Sequence, residues 1–229
     1  MIGLVVVSHS RQLALGVAEL AGQMAPTVAI VPAGGDGAGG LGTDYVAVGE
    51  AIARADSGDG VVVLFDLGSA KMVAEMAAEE ADCSVVVVDA PLVEGAVAAA
   101  VRAQGGARLA DVAAAAANAA RSAGVPDDSS EPVRPTLRLV KDAVRAEVEL
   151  TNSVGLHARP AALVVRALDS LDASVVVRFG EQEADGKSVL ALMGLGAPGG
   201  ARIEVVATGA DAAEAVRRVE GLVARDFDE

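Results

Sequence analysis

The sequence predicts an α/β protein of two small domains: a parallel-sheet domain over residues 1–123 and an α+β open-faced sandwich over residues 143–229. In the first half, continuous apolar runs alternate with helical stretches, which is typical of parallel strands covered on both faces. In the second half, strands come in neighbouring pairs with helices between them. Between the halves, residues 124–136 contain three prolines, two serines and three acidic residues without a hydrophobic period. We therefore predict a linker over 124–142.

The first domain is predicted to contain four strands and five helices. The strands are expected at residues 2–7, 27–31, 60–65 and 84–89. The helices are expected at about 11–23, 43–55, 69–81, 91–104 and 108–123. Pro91 suits the first turn of the fourth helix, where a missing N–H costs nothing.

The second domain is predicted to alternate strands and helices in a different order. The expected sequence is a strand at 143–150, a helix at about 158–170, a strand at 173–179, a turn or edge strand at 181–186, a short helix near 188–194, a strand at 201–207 and a final helix at 211–224. Paired strands with helices between them favour a sheet with one open face.

Composition and charge restrict the class of partner. The chain has 229 residues, of which 52% are hydrophobic, and a net charge of −14. Such an acidic chain has too few cations to neutralise a run of phosphates, which argues against a nucleic-acid partner. We expect proteins or small molecules as partners.

The sequence also predicts the cellular location of the chain. No apolar run reaches the roughly 18 residues needed to span a bilayer. Met1 leads directly into a strand-like run without the basic flank of a signal peptide. The only cysteine, Cys83, cannot form an internal disulfide, and we expect it to serve in packing. The chain is therefore predicted to be cytoplasmic.

One candidate site is centred on His9, at the carboxyl end of the first predicted strand, where ligands bind in open α/β sheets. A histidine there could simply cap the next helix. Asp66 favours a functional interpretation, because it ends the third strand at the same edge and could orient the imidazole for nucleophilic attack. The sequence near His9 lacks a second histidine, a cysteine or dense carboxylates, so a metal site is not expected.

The second candidate site is centred on His157, the only other histidine. Pro160 suits the first turn of a helix, which makes His157 the cap or near-cap residue above unpaired N–H groups. Arg159 adds a planar cation that can bind a phosphoryl group through two bonds. The alternative is a capping histidine beside a surface arginine.

The stretch GLHARPAA (155–162), preceded by Asn152 and Ser153, resembles the active-site signature of HPr, the phosphocarrier of the PEP-dependent phosphotransferase system. The resemblance covers about 143–229, including GKSVLALMGLGA (186–197). It implies that His157 is phosphorylated by enzyme I and that Arg159 helps to stabilise the phosphate.

The stretches VVVSHS, LGTDYVAVGEAI, DLGSA and APLVEG are similar to the mannose-type EIIA domain of the DhaM family, the phosphotransferase subunits of PEP-dependent dihydroxyacetone kinases. This resemblance covers about 1–123, and the order of the two domains matches that family. It implies that His9 is phosphorylated, that Asp66 is its partner and that the first domain forms a homodimer.

Together the two resemblances imply a phosphotransferase with phosphohistidine intermediates and no bound cofactor. Phosphoryl would pass from phosphoenolpyruvate through enzyme I to His157 and then to His9. The next acceptor would be ADP held by the DhaL subunit, and the ATP formed would phosphorylate dihydroxyacetone on the DhaK subunit. The chain stops at Glu229 without an enzyme I segment, so a separate enzyme I is expected, with a separate HPr as a further candidate donor.

Two other functions remain open at this point. The chain could be the EIIA–HPr component of a mannose-type sugar transporter, although DLGSA and APLVEG favour the kinase system. It could also be a regulator that is controlled by its own phosphorylation.

Two glycine-containing stretches imitate nucleotide sites. Residues 35–40 have the spacing G-x-G-x-x-G but follow the second strand, so we expect a loop near the active edge. Residues 180–188 have one residue too many for a phosphate-binding loop. Ser188 is a candidate regulatory site or, preferably, a helix cap. The set Leu190, Met193 and Leu195 could form a docking patch or belong to the core.

Overall fold

Two separate units make up the part of the chain described by the computed structural model, which is residues 1–119 and 143–228. The division between the units falls at about residue 120. The predicted linker at 124–142 lies outside the described residues.

The first unit is a parallel sheet with helices on both faces, which confirms the predicted fold class. Its elements are β1 Gly3–Ser8, α1 Arg11–Met24, β2 Ile30–Gly34, α2 Tyr45–Ala55, β3 Val61–Phe65, α3 Gly68–Glu79, β4 Val85–Val88, α4 Leu92–Gln104 and α5 Leu109–Ala117. The strand order is β2-β1-β3-β4, and every pair is parallel.

Both faces of the central strands are buried, which explains their unbroken apolar sequence. Leu4 and Val6 of β1 pack in the core beneath α1, α4 and α5. Val5 and Val7 of the same strand pack in the core beneath α2 and α3. Small alanines on the helices allow close approach to this valine-rich sheet. The polar residues that follow β1 and β3 therefore emerge at the carboxyl edge of a rigid layer.

The second strand differs from its prediction. We expected it at 27–31, whereas β2 covers Ile30–Gly34 and pairs with β1 from Leu4↔Ile30 to Ser8↔Gly34. Pro32 is accommodated because β2 is an edge strand, where a missing N–H need not break a ladder. Val28 is buried in the preceding turn, which explains why its apolar character misled the prediction.

The other elements lie close to their predicted positions. Apart from the end of the fifth helix, their described ends fall within two residues of the expected bounds. The helix expected at 108–123 is described as α5 up to Ala117, and residues 120–123 lie outside the described part.

The second unit is an antiparallel sheet with helices on one face. Its elements are β5 Val144–Glu149, α6 Ala158–Asp169, β6 Ser174–Phe179, β7 Gln182–Asp185, α7 Val189–Gly194, β8 Arg202–Thr208 and α8 Ala212–Val223, followed by a short 3₁₀ turn at Asp226–Asp228. The strand order is β5-β8-β6-β7.

The two faces of this sheet differ in chemistry. Ile203 and Val205 of β8 are buried against the helices. Glu204, between them, points to the opposite face and pairs with Arg145 at 3.4 Å and Arg178 at 3.3 Å. Alternation of buried apolar and paired charged residues confirms the predicted open-faced sandwich.

None of the described helices is long and apolar enough to cross a membrane. Within residues 1–119 and 143–228, no three His, Cys, Asp or Glu side chains are grouped so that they could hold a metal ion.

Candidate functional site

His9 lies where two neighbouring strands end. β1 and β3 are adjacent and parallel, with Val7 level with Phe65, so His9 and Asp66 leave the sheet side by side. His9 Nδ1 lies 2.9 Å from Asp66 Oδ1, and the His9 backbone N–H donates to Asp66 Oδ2 at 2.9 Å. The structure thus brings together the two residues that the sequence paired.

Four donors converge on the Asp66 carboxylate. Besides the two bonds from His9, Oδ2 accepts from the Ser8 hydroxyl at 2.8 Å and Oδ1 accepts from the Leu67 N–H at 2.7 Å. Burial alone would raise the pKa of Asp66, but the bonds from His9, Ser8 and Leu67 outweigh burial and hold this pKa below its ordinary value of 3.8. Asp66 is therefore ionised at neutral pH.

The ionised carboxylate determines the tautomer of His9. A carboxylate can only accept, so Nδ1 must carry the ring proton. The lone pair of a neutral imidazole is then on Nε2, which lies 2.7 Å from the Ser69 hydroxyl. His9 has one nitrogen held by an acceptor and the other available as a nucleophile.

Ser8 and Ser69 complete this site, and sequence reasoning missed both. Ser69 is the second residue of α3 and two residues beyond Leu67, the N-cap. Its position in the DLGSA stretch, just after Asp66, was the available signal. Ser8 directly precedes His9 and is fully buried. A hydroxyl at the buried end of an apolar strand was the signal there, because buried hydroxyls require partners.

The glycine-rich loop between β2 and α2 supports the backbone of this site. The Gly42 N–H donates to the His9 carbonyl at 2.9 Å, and the Gly35 N–H donates to the Ser8 carbonyl at 3.3 Å. Asp36 accepts from the N–H groups of Ala38 and Gly40 within the loop. The loop therefore lies at the active edge, as predicted, and binds the backbone next to His9.

His157 is in a different environment. It is exposed and is the N-cap residue of α6, as the sequence predicted, with extended backbone at φ −74° and ψ −177°. Its side chain makes no capping hydrogen bond. The N–H groups of the first turn of α6 thus begin beside His157, and such groups attract anions.

Arg159 contributes positive charge beside His157. It is exposed in the first turn of α6 and makes no ion pair within the described ranges. Burial, reinforced by repulsion from Arg159, lowers the pKa of Arg166, which lies two turns further along α6. The site thus combines a histidine, a helix start and the cationic Arg159, which suits a phosphoryl group.

Two glycines hold the loop before His157 in place. Gly155 has φ +66°, and a Cβ there would lie 2.1 Å from the Ala197 carbonyl oxygen. A Cβ on Gly199 would lie 2.3 Å from the Asn152 carbonyl oxygen. The Leu156 N–H donates to the Ala197 carbonyl at 3.0 Å. The His157 loop and the loop before β8 are therefore in backbone contact.

Each unit matches a different family model. The model described as PTS system fructose IIA component matches residues 3–113, and that described as PTS HPr component phosphorylation site matches residues 144–225. A DhaM phosphoryl donor subunit of PEP-dependent dihydroxyacetone kinase from Providencia stuartii is 34% identical and aligns with 99% of the chain. A DhaM subunit from Listeria innocua is 40% identical over 102 residues, 44% of the chain and 82% of that relative.

The chain belongs to the DhaM family. It spans about half the length of the Providencia DhaM relative, with 50% of that protein covered. Its similarity to the phosphocarrier protein NPr of Escherichia coli is 42% identity over 87 residues, or 38% of the chain and 97% of NPr.

The structure of this DhaM-family chain also locates the other residues that the sequence analysis singled out. Ser188 is the N-cap of α7 and accepts from the Ala191 N–H at 3.3 Å, so the cap is confirmed, while a regulatory role stays a hypothesis. Leu195 is buried core at 4% exposure, whereas Leu190 and Met193 are half-buried. Burial, with Asp56 and Asp82, raises the pKa of Cys83 and makes this thiol less reactive.

Proposed function

We propose that this chain is a phosphocarrier of a PEP-dependent dihydroxyacetone kinase, with His157 and His9 as successive phosphohistidines. The observation that carries the proposal is the His9 ring, held at Nδ1 by an ionised Asp66 with Nε2 next to the Ser69 hydroxyl. Membership of the DhaM family supports the choice of system.

The step at His9 follows from this tautomer. The Nε2 lone pair attacks the phosphorus of an incoming phosphohistidine, forming an Nε2–P bond as the donor's N–P bond breaks. The His9 ring keeps its Nδ1 proton and becomes cationic, and the adjacent Asp66 carboxylate stabilises that charge. Ser69 turns its hydroxyl from Nε2 to a phosphoryl oxygen.

The same charge prepares the next transfer. A cationic phosphorylated ring leaves as neutral imidazole, which is a better leaving group than the imidazolate anion that a ring without the Nδ1 proton would release. Departure of the phosphoryl group therefore returns a neutral imidazole with its proton still on Nδ1. No net proton transfer is needed in either direction. The site supplies position and charge stabilisation, which are the main contributions to phosphoryl transfer.

At His157 we propose the receiving step. Enzyme I would phosphorylate His157, with Arg159 and the start of α6 binding the phosphate. The exposure of His157 and of Arg159, which has no ion-pair partner in the part of the chain that the structure describes, supports this assignment. The acceptor beyond His9 would be ADP in the DhaL subunit, and dihydroxyacetone on DhaK would receive the phosphate of the ATP.

The remaining parts of the proposal concern assembly and location. We propose a homodimer through the first unit, a cytoplasmic location, a separate enzyme I and no cofactor bound to this chain. The single cysteine, half-buried and with a raised pKa, is compatible with a reducing compartment.

Reconstitution tests the function. The full chain is mixed with phosphoenolpyruvate, enzyme I, HPr, DhaK and DhaL. We expect turnover of phosphoenolpyruvate that depends on dihydroxyacetone and is lost in His9→Ala. Phosphorylation of the chain without turnover would contradict the proposal and favour a regulator.

Labelling tests the order of the two histidines. With enzyme I and no separate HPr, we expect acid-labile label on both histidines of the unmodified chain. His9→Ala should keep the label on His157, whereas His157→Ala should lose the label on His9. Normal labelling of His9 in His157→Ala would rule out direct donation by His157.

A further inference from the structure

We propose that Ser8 is a positioning residue for His9, because its hydroxyl holds the Asp66 carboxylate in the orientation that keeps the His9 ring proton on Nδ1. The inference deepens the proposed function at the same site. The test of this inference first measures the tautomer of His9, which can be determined whether or not the chain transfers phosphoryl groups.

The Ser8 hydroxyl has a single direction in which it can donate. Its oxygen accepts from the Ser10 N–H at 3.0 Å and lies 2.8 Å from Asp66 Oδ2. Asp66 is ionised and only accepts, so the hydroxyl proton must point at Oδ2. Ser8 is 0% exposed, and water therefore cannot replace either bond.

The backbone of Ser8 is fixed by the sheet. It is the last residue of β1 and is level with Gly34 of β2. Its carbonyl accepts from the Gly35 N–H at 3.3 Å. Asp66 lies in the less regular segment after β3. Since the strand fixes the position of the Ser8 hydroxyl, this hydroxyl can fix the orientation of the Asp66 carboxylate.

The hydroxyl acts on the oxygen of Asp66 that does not touch the imidazole. Oδ1 faces His9 Nδ1, and Oδ2 is held by the Ser8 hydroxyl and the His9 N–H. Without Ser8, the His9 N–H alone would hold Oδ2 while the Leu67 N–H still binds Oδ1, and the carboxylate could pivot about Oδ1 and weaken its alignment with Nδ1. The lowered pKa of Asp66 accords with a donor at this position.

Ser10 offers a matched control on the other side of His9. It is the N-cap of α1, and its hydroxyl accepts from the Leu13 N–H at 3.3 Å. No hydrogen bond joins the Ser10 side chain to Asp66 among the described residues. Ser8→Ala and Ser10→Ala therefore remove the same atom, but only Ser8→Ala removes a donor to the carboxylate.

The experiment uses the full chain with 15N-labelled histidine. NMR reads the tautomer of His9, and His157, the only other histidine, serves as an internal reference. We expect the His9 proton on Nδ1 in the unmodified chain and in Ser10→Ala, and a mixture of tautomers in Ser8→Ala. Phosphorylation of His9 should slow roughly tenfold to a hundredfold in Ser8→Ala and less than about threefold in Ser10→Ala.

Two further variants separate positioning from folding. Ser8→Thr keeps the hydroxyl on a strand-compatible residue and should keep the Nδ1 tautomer. Ser8→Cys keeps the size with a weaker donor and should show a partial loss, which tests the proposal if Ser8→Ala does not fold. A folded Ser8→Ala or Ser8→Cys with the unmodified tautomer and rate would overturn the proposal. Failure of the unmodified chain to accept phosphoryl would instead contradict the proposed function.

Discussion

The two nitrogens of the His9 ring face partners with different chemistry. Asp66 accepts at Nδ1, and the Ser69 hydroxyl can donate to Nε2. An acceptor at one nitrogen and a donor at the other favour the tautomer with the proton on Nδ1 and leave Nε2 as the reactive atom. His157 has no comparable arrangement, since its exposed ring makes no capping bond and its neighbours supply positive charge.

Asp66→Asn tests the charge that faces Nδ1. An amide is neutral, so it cannot stabilise the cationic phosphorylated ring, and it can present N–H to the imidazole and reverse the tautomer. We expect phosphorylation of His9 to slow by roughly a hundredfold or more. The rate is measured by quenching the labelling reaction at a series of times. Asp111→Asn, at an exposed aspartate paired with Arg108, is the control and should leave the rate unchanged.

Acid titration tests the same carboxylate. The pKa of Asp66 is lower in the folded chain than its ordinary value of 3.8, so its contribution to stability is fully present above pH 3.8. That contribution is lost as the pH falls through the folded pKa. The difference in unfolding free energy between the unmodified chain and Asp66→Asn should therefore shrink as the pH falls below 3.8. A difference that grows below pH 3.8 would contradict the assigned sign.

Ser69→Ala distinguishes the effect of Ser69 on the reactivity of His9 Nε2 from the effect of Asp66 on the tautomer of the ring. The variant removes the donor at Nε2 but leaves Asp66 in place. We expect His9 to keep its proton on Nδ1 and phosphorylation to slow roughly tenfold to a hundredfold. Ser84→Ala, at an exposed serine of the same unit, should behave like the unmodified chain. An altered tautomer in Ser69→Ala would show that Ser69 acts in another way.

At the scale of elements, backbone contacts position His157. Gly155→Ala would force a Cβ to within 2.1 Å of the Ala197 carbonyl in a left-handed conformation. We expect a loss of at least about 2 kcal/mol in unfolding free energy. The measurement is denaturant unfolding of the full chain, followed through residues of the second unit by NMR.

Gly194→Ala is the matched control for this prediction. Gly194 ends α7, and nothing lies within 4 Å of an added Cβ. Stability should be unchanged or raised by up to about 1 kcal/mol, as expected for alanine in place of helical glycine. Equal losses in the two variants would mean that the contact with Ala197 is unimportant.

Strand ends were the most predictable features of the site. Polar residues after two apolar runs were enough to place His9 and Asp66 together, because parallel strands end at one edge. The register of β2 was less predictable, since Val28 is apolar and buried outside the strand. Ser69 was missed because its reach to Nε2 depends on the direction in which α3 leaves the sheet. The sequence pattern predicts where this helix begins but not its direction.

At the scale of the whole molecule, each described unit contains its own histidine and the side chains that surround it. The described partners of the His9 ring, Asp66 and Ser69, belong to the first unit, and Arg159 lies two residues from His157 in the second. The fold class of each unit was therefore predictable from its own local sequence.

The different hydrogen bonding of the two imidazoles has a consequence for chemical modification. Acylating reagents such as diethyl pyrocarbonate attack an accessible imidazole lone pair. His9 has a side chain that is 25% exposed, and Ser69 occupies its Nε2, whereas His157 is exposed and its ring forms no capping bond. We expect the reagent to carbethoxylate His157 several-fold faster than His9, as measured by mass spectrometry of peptides. Ser69→Ala should reduce the difference between the two carbethoxylation rates. Equal rates for His9 and His157 in the unmodified chain would contradict this expectation. Brief treatment would then block one histidine and leave the other intact, without any mutation.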